Sequence, residues 1–88
     1  MTKPAAPTEA EVLVEIRRLV MQEVGHPGPV EPAHHLLRDL ALDSVAVLTL
    51  VVGLEDRYRV ALAEEDAAAV HTVAELAALV ARRAGEPR

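Results

Sequence analysis

Eighty-eight residues leave room for one small domain and none for a cofactor domain beside a substrate domain. Fourteen acidic against 9 basic side chains, a net charge of −5, exclude nucleic acid as the natural partner, because phosphate backbones recruit clustered Lys and Arg. With no cysteine there is no disulfide framework, thiolate metal site or cysteine nucleophile, so helix packing has to supply the stability.

Residues 1–7 carry two prolines and no periodicity and read as a disordered lead, with one Lys and no apolar stretch of signal-peptide length. Thr8 and Glu11 then have the spacing of a capping box. Apolar residues recur at Val12, Leu13, Ile16, Leu19, Val20 and Val24, the helical period, until Gly25 offers a left-handed stop. From Gly25 to Asp43, Pro27, Pro29 and Pro32 forbid one regular helix, yet Leu36, Leu37, Leu40 and Leu42 are too apolar for a free linker. An ordered loop tacked onto the core is expected. Loops of this length in compact domains are usually functional or disordered, which directs attention to the far end at Asp43.

The second helix is predicted over Ser44–Tyr58, with Asp43 as N-cap. Val47, Leu50, Val51, Leu54 and Tyr58 fall on one stripe, assigned to the core, while Val45, Leu48, Thr49, Val52 and Asp56 lie on the other side. Aliphatic residues on a face that should be polar make either a second buried face or an exposed patch. In so small a bundle the exposed reading is favoured, and such a patch marks a binding surface. The apolar run Val45–Leu54 is about half a membrane span and is interrupted by Thr49 and Gly53, so no membrane partner is expected and the protein reads as soluble and cytoplasmic.

Glu64 to Ala69 has room for a turn or two of helix, its carboxylates Glu64, Glu65 and Asp66 complementing the dipole at the start. Thr72 and Glu75 repeat the capping-box spacing, Val73, Leu76, Ala77 and Val80 give the last helix its inward stripe, and Arg82 and Arg83 suit its negative end. Gly85 with Pro87 closes it. The fold expected is all-α, three substantial helices and a short third one in a small antiparallel four-helix bundle, with a long loop between helices 1 and 2. Residues 8–84 form the domain and 85–88 a tail.

Asp43 and Ser44, at the junction of loop and helix, have two readings. One is ordinary capping. The other is covalent modification: a hydroxyl at a helix N-terminus sits in a positive dipole field beside free N–H groups, which would stabilise a phosphate attached there. Hydrolytic catalysis is excluded, since no Gly-x-Ser-x-Gly elbow surrounds Ser44 and Asp43 alone is no triad. His26, His34, His35 and His71 lack compact ligand spacing and read as solvated loop histidines, so no metal site is expected.

The run Asp39-Leu40-Ala41-Leu42-Asp43-Ser44-Val45 resembles the attachment motif of the acyl carrier proteins, commonly Asp-Leu-Gly-x-Asp-Ser-Leu. Leu54-Glu55-Asp56-Arg57-Tyr58, Leu62, the acidic Glu64-Glu65-Asp66 and Thr72-Val73 follow in the family's order, so the resemblance covers residues 8–84. It implies a carrier and not an enzyme. Ser44, beside Asp43, would receive 4'-phosphopantetheine from coenzyme A through a phosphopantetheinyl transferase, and the terminal thiol would hold acyl groups as thioesters. Ketosynthases, acyltransferases or acyl-activating enzymes would then dock on Val45, Leu48, Thr49, Val52, Glu55, Asp56, Glu64 and Glu65.

The departures are informative. Ala41 stands where the family has glycine, and Ala46, Thr49 and Arg57 replace acidic residues, so the face is more apolar and less negative than in fatty-acid-synthesis carriers. Partners reading Val45, Leu48 and Val52 by contact suggest polyketide-type or related specialised biosynthesis. Some family members tuck the acyl chain between helices, for which Val47, Leu50, Leu54, Leu62 and Val73 are the candidate lining. Two alternatives remain: a peptidyl carrier charged with an amino acid, which Leu42-Asp43-Ser44 disfavours, and a non-covalent helical adaptor docking through Val45, Leu48 and Val52. Met1 and the complete bundle point to a freestanding monomer.

Overall fold

The first helix starts where the hydroxyl of Thr8 can substitute for a missing backbone partner. The Glu11 N–H donates to Thr8 Oγ1 at 3.1 Å and the Thr8 N–H donates to the Glu11 carboxylate at 3.2 Å, closing the capping box in front of α1 (Glu9–Leu19). The structure, a computed structural model, describes residues 6–26 and 28–85. Most of the expected disordered lead (1–5), most of the expected tail (86–88) and Pro27 lie outside the described residues.

Beyond Leu19 the helix widens into one π turn, Val20–Val24, which ends at Gly25 with φ +81° and its N–H donating to Val20 O. The predicted left-handed glycine stop is therefore present, with a wider last turn than the apolar period implied. Val12, Ile16, Leu19 and Val20 are buried as the stripe requires.

Asp43 caps α2 (Ser44–Tyr58): its backbone is extended and its carboxylate accepts the Ala46 N–H at 2.8 Å. Leu50 and Leu54 are fully buried, whereas Val47, Val51 and Tyr58 are half-buried, so the predicted core stripe splits into a packed centre and an open flank. α2 crosses close to α1 at Gly53, where a Cβ would stand 3.0 and 3.1 Å from the two Leu19 methyls. Glycine there lets the buried Leu19 lie against the helix backbone.

Over residues 28–43 the long loop packs onto the core, as its leucines demanded. Val30, Leu36, Leu40 and Leu42 are buried while Leu37 is exposed. Arg17 Nε donates to Val30 O at 2.8 Å, tying the loop to α1. At its other side the Leu36 N–H donates to His71 O (2.9 Å), the Val73 N–H to His34 O (3.0 Å) and the Ala74 N–H to Pro32 O (2.9 Å). Apart from the isolated bridge His35–Thr72, no β-structure forms among the described residues.

α3 (Glu64–Ala68) buries no residue and has no side-chain cap, so its acidic first turn complements the dipole without bonding the free N–H groups. Asp66 is instead paired with Arg83 of α4 (Val73–Gly85) at 2.7 Å, pinning the short helix to the long one. The Thr72–Glu75 box is formed: the His71 and Thr72 N–H groups both donate to Glu75 (2.8 and 2.9 Å) and the Glu75 N–H donates to Thr72 Oγ1 (3.1 Å). These bonds hold the Glu75 carboxyl below its ordinary range. α4 buries Val73, Leu76, Ala77, Leu79 and Val80, completing the antiparallel bundle.

One charge is buried in this packing. Glu15 accepts from Arg18 Nε at 3.1 Å, and that hydrogen bond, opposed by burial, holds its carboxyl below the ordinary value of 4.5. A carboxyl depressed in the fold stabilises it above its unfolded value and loses that contribution as pH falls through the folded value. Glu15→Gln is therefore expected to flatten the stability of the chain between pH 4.5 and the onset of acid unfolding, as read by urea midpoints taken down the pH scale. An unchanged slope would refute the assignment.

Candidate attachment serine and the adjoining cavity

Ser44 is the first residue of a 15-residue helix, and its side chain is exposed. Asp43 satisfies the Ala46 N–H, and Asp43 O accepts from Val47 N–H at 3.0 Å. The Ser44 hydroxyl has no hydrogen-bond partner among the described residues, and no base stands against it. A nucleophilic role would need such a base. What remains is an available hydroxyl in the positive field of a helix N-terminus, which fits the phosphodiester that the family resemblance implies.

The turn that delivers Ser44 is strained at one point. Ala41, standing where the resemblance expects glycine, has φ +54°, a left-handed conformation that a Cβ makes costly. Ala41→Gly removes that cost and adds freedom to the unfolded chain. The net expectation is a gain of up to about 1 kcal/mol in urea unfolding. A loss of stability would mean that the alanine methyl contributes packing.

Beside Ser44 lies a cavity of about 700 Å³. Ser44, Val47, Leu48 and Val51 of α2, Leu62 of the α2–α3 connection and Ala67 of α3 line it, and its surface is mainly apolar. Of the predicted lining, Val47 and Leu62 belong here. Leu50, Leu54 and Val73 do not: they are fully buried in the helix core.

The exposed face of α2 is as expected. Val45, Leu48 and Val52 are 70, 61 and 52% exposed, and Asp56, Glu64 and Glu65 are exposed beside them. Thr49 is half-buried, its hydroxyl donating to Val45 O at 2.9 Å. Glu55 departs from the expected outward face: its carboxylate accepts the Leu62 N–H at 2.8 Å and lines the cavity. It sits one helical turn beyond Val51, on the flank facing α3.

Two features escaped the reading of the sequence. Leu37, 56% exposed, joins Leu48 on the cavity lining from the loop side. His35 and His71 stack with ring centroids 5.8 Å apart, so they are not simply solvated. No local signal pairs residues so far apart in sequence. Among the described residues no group of three or more acidic or histidine side chains could hold a metal ion, and no helix is long and apolar enough to cross a membrane.

The family model described as the phosphopantetheine attachment site matches residues 14–80. The chain is 29% identical over 76 residues to the meromycolate extension acyl carrier protein of Mycolicibacterium smegmatis, covering 85% of this chain and 77% of that one. To the acyl carrier protein of Rhodococcus erythropolis it is 29% identical over 82 residues, covering 92% and 90%. Some longer meromycolate extension relatives are spanned over 64% of their length. In fold, an acyl carrier protein from Thermotoga maritima superposes with a TM-score of 0.76 at 18% identity, covering 85% of this chain and 88% of that one. With the attachment-site model spanning most of the bundle, the chain belongs to the acyl carrier proteins, carriers rather than catalysts, whose prosthetic group is 4'-phosphopantetheine.

Proposed function

We propose that Ser44 Oγ is the attachment point and that the chain carries acyl intermediates for a fatty-acid-like or polyketide-type biosynthesis. The observation that carries this is the unpartnered hydroxyl at the start of α2, on the edge of an apolar cavity. When bound, the prosthetic group supplies a thiol that holds acyl groups as thioesters, which the cysteine-free chain lacks. Asp43 fixes the first turn and keeps the Ser44 backbone presented to a phosphopantetheinyl transferase. The apolar wall of Val47, Val51, Leu62 and Ala67 suits a hydrocarbon chain, and the name of the Mycolicibacterium relative, which speaks of meromycolate extension, favours the fatty-acid-like branch.

Partner enzymes, ketosynthases and acyltransferases among them, would read Val45, Leu48 and Val52 by apolar contact, with Asp56, Glu64 and Glu65 at the rim. Glu55, bonded to the Leu62 backbone, takes a structural part instead. We place the protein in the cytoplasm as a monomer. The test is intact mass after incubation with coenzyme A, magnesium and a broad-specificity transferase, followed by peptide mapping. A gain of one phosphopantetheine on the peptide holding Ser44 supports the reading; no gain, beside a working control carrier, moves it to the adaptor. Charge reversal at Asp56, Glu64 and Glu65 should slow acyl transfer less than Leu48→Ala with Val52→Ala, and the opposite ranking would discard the contact-driven face.

A further inference from the structure

We propose that the stacked His35–His71 pair is an acid-sensitive latch that holds the loop 25–43 against the turn before α4 and keeps one wall of the cavity closed. The wall is built across that junction. His35, Leu36 and Leu37 on one side and Val70 and His71 on the other all line the cavity. The backbone bonds from Leu36 to His71 and from Val73 to His34 join the same two segments as the two rings, which lie 15° from parallel.

His35 works as a cap as well as a stacking partner. Its Nδ1 accepts the N–H groups of Leu37 and Arg38, each at 3.2 Å, so this nitrogen is bare and the proton of the neutral ring sits on Nε2. A second proton would place an N–H against two N–H donors and remove both bonds. It would also set a cation 5.8 Å from the His71 ring, so that charges on both rings would repel across the stack.

The charged surroundings bracket the pair. Asp39 accepts the His35 backbone N–H at 2.7 Å and Glu75 accepts the His71 backbone N–H at 2.8 Å, so each segment carries one carboxylate. Arg38 and the adjacent His34, whose Nδ1 accepts the Glu31 N–H at 3.0 Å, stand on the loop side, and Glu55 and Glu64 face the shared cavity from α2 and α3. With both rings neutral the latch is shut; a proton on each ring opens the junction. Leu36, buried under it, is then uncovered.

The latch makes no use of Ser44, so it is tested on the full unmodified chain, with no arm attached. Amide exchange of Leu36, Val73 and Ala74, corrected for the intrinsic effect of pH, should rise about tenfold between about pH 7.5 and about pH 5.5, with Leu54 unaffected. His35→Asn keeps an acceptor near Nδ1 without the titration and should abolish the rise; His71→Phe keeps a ring without the charge and should reduce it. The proposal is overturned by a wild-type chain that shows no rise once both imidazoles are seen by NMR to be protonated, or by an undiminished rise in either variant. Should His35→Asn fail to fold, the His71→Phe result decides.

Discussion

Ser44→Ala is expected to lose the whole gain of one phosphopantetheine in intact mass while its thermal midpoint stays within about 4 °C of the parent, a stability change within about 0.5 kcal/mol. The hydroxyl has no partner in the fold, the side chain is exposed, and alanine is the best helix former at a first-turn position. The cap belongs to Asp43, so the neighbouring Asp43→Ala should behave in the opposite way: a loss of about 1 kcal/mol as the Ala46 N–H goes unbonded, with the attachment hydroxyl still in place. The pair separates presentation from attachment. A Ser44→Ala chain that still gained the mass would put the arm on another hydroxyl, and one that bound its partners and supported product formation without the arm would establish the adaptor instead.

That contrast also shows what the sequence could and could not reveal. Thr8, Glu11, Asp43, Thr72 and Glu75 were legible because caps act within four residues, and each forms the predicted bond. Leu50, Leu54, Leu76 and Val80 were legible because burial on a helix has a period. The loop 25–43 has no period, so nothing local distinguishes the buried Leu36 from the exposed Leu37. The widened turn Val20–Val24 and the inward Glu55 have the same origin in tertiary context: one depends on how the end of α1 meets its neighbours, the other on a backbone N–H seven residues away. The left-handed Ala41 was visible only as a missing glycine, because the strain lies in the backbone rather than in the side chain.

The division between core and cavity leads to the second large effect: Leu54→Ala should cost about 3 kcal/mol, within the range of about 2–5 for such truncations, and lower the midpoint by more than 10 °C, about 4–8 °C for each kcal/mol. Leu54 is fully buried among α1, α2 and α4, in an interior with no Phe or Trp to shift into the void. A domain of this size holds a reserve of only about 5–10 kcal/mol, so the loss is a large share of it. Val51, one turn earlier on α2, is half-buried and borders space already empty. Val51→Ala adds to that space instead of opening a new void, so it should cost under about 1 kcal/mol. Urea unfolding of the two variants checks the difference. Equal losses would mean that the wall beside Ser44 is packed as firmly as the core, and an acyl chain could enter only by parting helices; the expected inequality means that α3 and the flank of α2 already enclose room for one.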